Sequence, residues 1–395
     1  MNTAFRTHSR RRSSLDKIII LGCNGGVDID YGGGSYIVSA MAHCLEKMGY
    51  EVHLVSLIGL GKEELARVHG FNLGFNVFTH FLIDARARPR IPYFIALKLV
   101  EKLTNFVEKI KPDLIIYHDD IPKSVHRKVR SLKIPTMLYI HFSYLVRSRM
   151  LKYGINMVEW SIPEAIVNFM TIPHLLDELG EADILMANST ATKKASEFAG
   201  DVHSIKVLNP PLITPNLNRP IYSKPNLMLH AARQDRTFLE GALRDFIQEY
   251  ISKYRDYMIL VNNNKSKKLA LLANKNPNVI TANYLSPELW NKVLKNARYY
   301  LHFKWFEGFG IATAEAALHG AIPIVFRSPF NGSWTDIARI CDNSCSFSSK
   351  SEALDKIEDF ESNEDKRRNV RKIFRSRIME FSIDRFCHGI KKAVL

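Results

Sequence analysis

Residues 305–325 read WFEGFGIATAEAALHGAIPIV. Two carboxylates, Glu307 and Glu315, flank the turn Gly308-Phe309-Gly310, and a helical pattern starts near Ile311. A glycine turn that runs into a helix leaves the first backbone N–H groups without intrahelical partners, so they point at whatever lies beyond the helix end. Such an end attracts anions. The amides of Gly310 and Ile311 are therefore expected to hold a diphosphate, with the neighbouring carboxylates accepting hydrogen bonds from a polyhydroxylated group. Glutamate is ordinarily solvated. Glu315 departs from that rule, lying among Ala312, Ala314, Ala316 and Ala317 in an otherwise apolar helix that Gly320 and Pro323 follow.

Outward from this block, short apolar runs alternate with helical patterns. Downstream of residue 226 the strands are expected at Leu227–Ala231, Tyr257–Val261, Val279–Ala282, Tyr299–Phe303 and Ala321–Phe326. Upstream they are expected at Lys17–Gly22, Glu51–Leu57, Asn76–Leu82, Leu114–Tyr117, Thr136–His141, Ile184–Ala187 and Ile205–Leu208. Alternation of this kind is the pattern of βαβ units and parallel sheets. Ser35–Met48 reads as an amphipathic helix, and Ile91–Ile110 as one longer helix that Pro112 terminates. Prolines 210, 211, 215, 220 and 225 mark a break between the two series. The fold class is thus α/β, with two Rossmann-like domains. The divisions are a basic tail at 1–16, a first domain at 17–212, a linker at 213–226, a second domain at 227–376 and a closing helix at 377–395. That helix carries Val370, Ile373, Phe374, Ile378 and Phe381 at helical spacing on its approach.

Composition restricts the class. Hydrophobic residues at 46% and charged residues at 24% of 395 are those of a globular protein. The longest uncharged apolar stretches are too short to span a bilayer, and no signal-type apolar segment precedes residue 17, so a cytoplasmic location is expected. Cys23, Cys44, Cys341, Cys345 and Cys387 form an odd set without paired CxxC spacing, and are read as buried or free thiols. The formal charge of +15 fits nucleic acid, anionic lipid or phosphorylated small molecules, and does not choose among them.

The block at 305–325 resembles glycosyltransferase family 4, the retaining GT-B transferases, whose hallmark Glu-x7-Glu motif reads EGFG(L/I)xxxEAxxxGxPVV. The resemblance runs along nearly the whole chain. Gly32-Gly33-Gly34 and Tyr50-Glu51-Val52 are similar to the family's glycine-rich loop and its following strand, Pro112-Asp113-Leu114 to Asp119 to a second strand, and Ala182-Asp183-Ile184 to Ser189 to a third. Ile140-His141-Phe142 looks like the strand that ends in an active-site histidine, with His118 as the fallback for that role.

The resemblance implies that Glu307 contacts the hydroxyls of the donor sugar, Glu315 the ribose, and Gly308, Phe309, Gly310 and Ile311 the diphosphate, while Gly33 and Gly34 let backbone approach the donor. His230-Ala231-Ala232-Arg233 stands where the family has a phosphate-binding arginine, whose planar fork suits a diphosphate. The family's lysine falls at Phe238 here, so the second cation is assigned to Arg236. Asp336 takes the place of a family glutamate after the strand ending at Phe326, and Phe381-Ser382 resembles the helix that crosses back to the first domain.

The resemblance further implies a nucleotide-diphosphate sugar as co-substrate, a hexose such as mannose or glucose, and a lipid-linked or glycan acceptor. No metal and no other cofactor is expected. Basic patches and the closing helix suggest peripheral contact with anionic membrane, and nucleic acid is not the expected partner. The competing reading is a degenerate GT-B protein that binds nucleic acid or other anions through its +15 charge.

Overall fold

The computed structural model describes residues 16–22, 28–29, 32–87, 91, 93–120, 122–141, 146, 150, 175, 179–200, 202, 204–213, 224–231, 238–262, 266–282, 285–341 and 343–395. They form two parallel sheets. In the first, β1 (Lys17–Leu21), β2 (Asp28–Ile29), β3 (Glu51–Gly59), β4 (Val77–Asp84), β5 (Leu114–His118), β6 (Thr136–Ile140), β7 (Ile184–Ala187) and β8 (Lys206–Val207) run in the order β2-β3-β1-β5-β6-β7-β8, with β4 also on β3. In the second, β9 (Leu227–His230), β10 (Met258–Asn262), β11 (Val279–Ala282), β12 (Tyr299–His302), β13 (Ile322–Phe326) and β14 (Ser346–Phe347) follow the order β11-β10-β9-β12-β13-β14.

Both faces of each sheet are covered, which is why the strands read as continuous apolar runs. In β1 the alternation is explicit: Ile19 and Leu21 join one core with Val55, Ile115 and Leu138, while Ile18 and Ile20 join another with Leu54, Ile116 and Met137. The second sheet repeats this with Ile259 and Leu301 on one face and Leu260 and Tyr300 on the other.

The first domain's helices are α1 (Gly33–Lys47), α2 (Lys62–His69), α3 (Tyr93–Val100), α4 (Thr104–Ile110), α5 (Lys123–Ser131) and α6 (Thr190–Gly200). The second domain's are α7 (Glu240–Lys253), α8 (Lys267–Lys275), α9 (Pro287–Asn296), α10 (Ile311–Leu318), α11 (Lys350–Ser362) and α12 (Glu364–Ile378). The last, α13 (Ile383–Val394), returns to the first domain, where Phe386 and Ile390 join the core built by Ile37, Met41 and Leu45 of α1.

Four expectations need correction. The helix expected over Ile91–Ile110 is broken by a 3₁₀ turn at Glu101–Leu103. The closing helix does not run unbroken from 377: α12 ends at Ile378, and Ser382 starts α13 by accepting a hydrogen bond from the Arg385 amide at 3.3 Å. A serine cap of this kind contributes roughly 1 kcal/mol. Gly33 and Gly34 form the first turn of α1 rather than a loop ahead of it. Finally, Cys44 of α1 and Cys387 of α13 are disulfide-bonded, whereas Cys341 and Cys345 are free and buried. Their sequence separation of 343 put this pairing beyond any reading of local spacing. Cys23 and linker positions 214–223 lie outside the described residues.

Candidate active site

The carboxyl-terminal edges of the two sheets face one another, the arrangement in which α/β folds bind ligands. Segments that follow β12 and β13 meet segments that follow β2, β6 and β7. A Cβ placed on Gly33 would lie 3.7 Å from Ile311 Cδ1, and one on Gly308 would lie 2.8 Å from Asn188 Nδ2 and 3.4 Å from the His141 carbonyl oxygen. Gly33, His141, Gly308 and Ile311, distant in sequence, are thus brought to one cleft.

On the second domain's side, the chain leaves β12, turns through Gly308 to Gly310, and enters α10. Gly310 caps α10 with φ +84°, and a Cβ there would collide with the Ser333 hydroxyl, so the turn has room for glycine alone. Gly332 packs just as closely, its absent Cβ standing in the space of the Gly308 carbonyl, and its amide donates to the Glu307 carbonyl at 2.8 Å. Asn331 secures the pair of loops by donating to the Lys304 carbonyl at 2.9 Å and the Phe326 carbonyl at 2.8 Å. Phe309 is buried against Phe381, with ring centroids 5.0 Å apart.

The two glutamates sit in unlike settings. Glu307 Oε2 lies 3.2 Å from Lys304 Nζ and 3.7 Å from His302 Nε2, and 26% of its side chain remains exposed. Burial alone would raise its carboxyl, but the Lys304 ammonium and the His302 imidazole outweigh it and hold the group well below the usual carboxylate range. Glu315, on α10, accepts from the Trp290 indole N–H at 3.1 Å. Burial pushes its carboxyl up to about 7, and the Trp290 hydrogen bond moderates the rise.

From the first domain, His141 follows β6. Its Nε2 lies 2.7 Å from His118 Nε2, its Nδ1 lies 3.0 Å from Asn188 Nδ2, and its carbonyl accepts from the Thr192 hydroxyl at 2.8 Å. Burial pushes His141 down to about 3, and burial together with His141 holds His118 well below the ordinary imidazole value. Both rings are therefore neutral near pH 7, and each can offer only one N–H. The sequence alternatives His118 and His141 turn out to be partners.

Arg233 and Arg236 lie outside the described residues. Phe238 does not: it pairs through its backbone with Lys304, and the Leu239 amide donates to the Phe303 carbonyl at 2.8 Å. The residue beside Phe238 on the neighbouring segment is therefore the buried lysine of the Glu307 ion pair. Sequence reasoning missed Lys304, Trp290 and Asn188. Only Lys304 carried a local signal, as a charge three residues before Glu307 in an aromatic run. Among the described residues no cluster of three His, Cys, Asp or Glu could hold a metal ion, and no helix is long and apolar enough to cross a membrane.

This pair of facing parallel-sheet domains is the GT-B fold, and it aligns with solved GT-B proteins over nearly the full length of each. Sucrose-phosphate synthase of Thermosynechococcus elongatus superposes with a TM-score of 0.68 at 14% identity, covering 95% of this chain and 98% of that one. Anabaena HepE, solved in complex with UDP and glucose, gives 0.65 at 13% identity, covering 96% and 99%. The α,α-trehalose 6-phosphate synthase of Burkholderia multivorans gives 0.61 at 11% identity, covering 96% and 98%. No curated protein matches the sequence. The chain therefore has the GT-B fold, and within it residues 31–212, most of the first domain, match the Glycosyltransferase Family 4 model.

Proposed function

We propose that this chain is a glycosyltransferase that moves a hexose, mannose or glucose, from a nucleotide-diphosphate sugar to a lipid-linked or glycan acceptor, with retention of anomeric configuration and without a metal ion. The observation that carries this reading is Glu307, held as an anion at the cleft by Lys304, immediately before a glycine turn in which Gly308 faces His141 and Asn188 of the opposite domain and Ile311 faces Gly33.

In this reading the sugar–phosphate bond breaks in the cleft and negative charge grows on the nucleotide diphosphate. The α10 amino terminus at Gly310 and Ile311, with Arg233 and Arg236, offsets that charge. Glu307 accepts hydrogen bonds from donor-sugar hydroxyls, and the neutral His141, its two ring nitrogens held by His118 and Asn188, shapes the opposite wall of the cleft. Glu315 accepts from the ribose. The acceptor oxygen bonds to the anomeric carbon on the face the diphosphate leaves, and its proton passes to the departing phosphate oxygen. Glu307 is a positioning carboxylate, since two carboxylates acting in the manner of a glycosidase would have to flank one glycosidic bond.

A donor panel tests the proposal. The chain is incubated in turn with UDP-glucose, UDP-N-acetylglucosamine, UDP-galactose and GDP-mannose, with EDTA present, and thermal shift and released nucleotide diphosphate are followed. Stabilisation and turnover with one donor supports the assignment and names the sugar. Activity that EDTA abolishes overturns metal independence. Silence with every donor favours a degenerate GT-B protein that binds anions.

A further inference from the structure

After β13 the chain forms Ser333–Ile337, a widened π-type turn of the kind that often marks functional segments. This turn is bolted to the donor loop at its start, through the Gly332 amide on the Glu307 carbonyl and the contact between Ser333 and Gly310. At its far end it carries Asp336, whose carboxylate leaves its own domain. Oδ1 and Oδ2 accept the Thr190 amide at 3.0 and 3.1 Å, Oδ1 accepts the Thr190 hydroxyl at 2.8 Å, and Oδ1 accepts Asn209 Nδ2 at 3.1 Å. The Thr335 hydroxyl completes the set at 2.6 Å.

Thr190 is the first residue of α6, so a carboxylate from the second domain caps a helix of the first. Ser189 caps the same helix locally through the Thr192 amide at 2.9 Å, which leaves the Thr190 amide for Asp336. A negative charge at a helix amino terminus is favoured by both the free amides and the helix dipole. The contact also closes a loop of interactions. Asp336 holds Thr190, two residues from Asn188, Asn188 meets His141 and Gly308, and Gly308 leads back through Gly332 to the turn that carries Asp336.

We infer that Asp336 is a positioning residue of the transfer reaction: by capping α6 across the cleft it docks the His141–Asn188 edge onto the donor loop in the closed enzyme. Asn209, which also donates to the Asn188 carbonyl at 3.1 Å, ties this contact to the segment where the chain leaves the first domain. The docking needs no ligand, and its consequence for turnover rests on the proposed function above.

The experiment compares the full-length protein with Asp336→Asn, which keeps size and loses the charge, and Asp336→Ala, by hydrogen exchange, small-angle scattering and donor kinetics. Exchange at the Thr190 amide is expected to quicken about tenfold or more in Asp336→Ala, and the scattering curve to shift toward a more open particle. With a donor identified, kcat is expected to fall about tenfold while donor KM changes less than about twofold, because the donor-binding domain is left whole. A merely structural loss would instead lower the melting temperature and move both constants. Unchanged Thr190 exchange with a superposable scattering curve overturns the inference, whether or not any donor is turned over. If Asp336→Ala does not fold, Asp336→Asn and Asn209→Ala decide it by the same readouts.

Discussion

The loop that leaves β12 and the helix α10 each carry one of the two glutamates, and they treat the same carboxyl group in opposite ways. Glu307 has an ammonium at 3.2 Å and an imidazole at 3.7 Å. Glu315 has an indole N–H and apolar surroundings. The first is held charged, while the second is poised near neutrality, at about 7. Identical side chains one motif apart thus acquire opposite protonation behaviour from their neighbours alone: a held anion on the loop and a titratable carboxyl on the helix.

The contrast can be broken most severely at Glu307. Glu307→Gln keeps the shape but removes the charge that faces Lys304; kcat/KM for the donor is expected to fall by roughly 100-fold or more. Steady-state kinetics near wild type would mean that the loop holds no part of the reacting sugar. Next in size is Gly310→Ala. A side chain at φ +84° meets the Ser333 hydroxyl, so the start of α10 must shift. Turnover is expected to drop about tenfold or more, with a stability loss of about 1–3 kcal/mol in chemical denaturation.

Glu315 sharpens the comparison through pH. If ribose hydroxyls donate to its ionised form, donor kcat/KM should decline as pH falls through about 7. Because the Trp290 hydrogen bond lowers that value, Trp290→Phe should move the limb to higher pH and weaken donor use several-fold, about 1 kcal/mol. A profile that does not move would separate Trp290 from the site.

The smallest effect is on stability, and its sign differs between the pair. Glu315 is raised from 4.5 to about 7, so its folded form retains a proton that the unfolded chain releases, and stability is lost as pH climbs through that window. Glu315→Gln should therefore stabilise the protein at pH 8, by on the order of 1 kcal/mol, and leave it unchanged at pH 4. Glu307 is lowered, so its contribution is present above the ordinary carboxyl value of 4.5 and is lost as pH falls below it. Relative to wild type, thermal stability should therefore change with opposite sign at neutral to alkaline pH, Glu307→Gln losing stability and Glu315→Gln gaining it.

Much of the fold could be read because each β-strand of the core spells out its own burial. Residues 18–21 and Ile184–Ala187 are continuous apolar runs bounded by polar or glycine residues. By contrast β2 and β14 are two residues each, too short for any period to show. The break at Glu101–Leu103 is equally silent, since ordinary helix formers occupy it and no proline or glycine announces it. In the site, the Glu307–Glu315 block was legible because the turn, the carboxylates and the helix are contiguous. The His118–His141 pair, the Asp336–Thr190 contact and the Trp290–Glu315 bond depend on which loops the two sheets bring together, and local periodicity carries no record of that.

The return of α13 to the first domain has a consequence for how the molecule is made. Phe386 and Ile390 belong to the same core as Ile18, Ile20, Met41 and Leu45, yet the whole second domain is encoded between them. As the polypeptide emerges from the ribosome, the first domain stays unfinished, with one apolar face of α1 uncovered, until the second has been synthesised. The two halves are separate in architecture and interleaved in time, and the unit that can be considered finished is the pair.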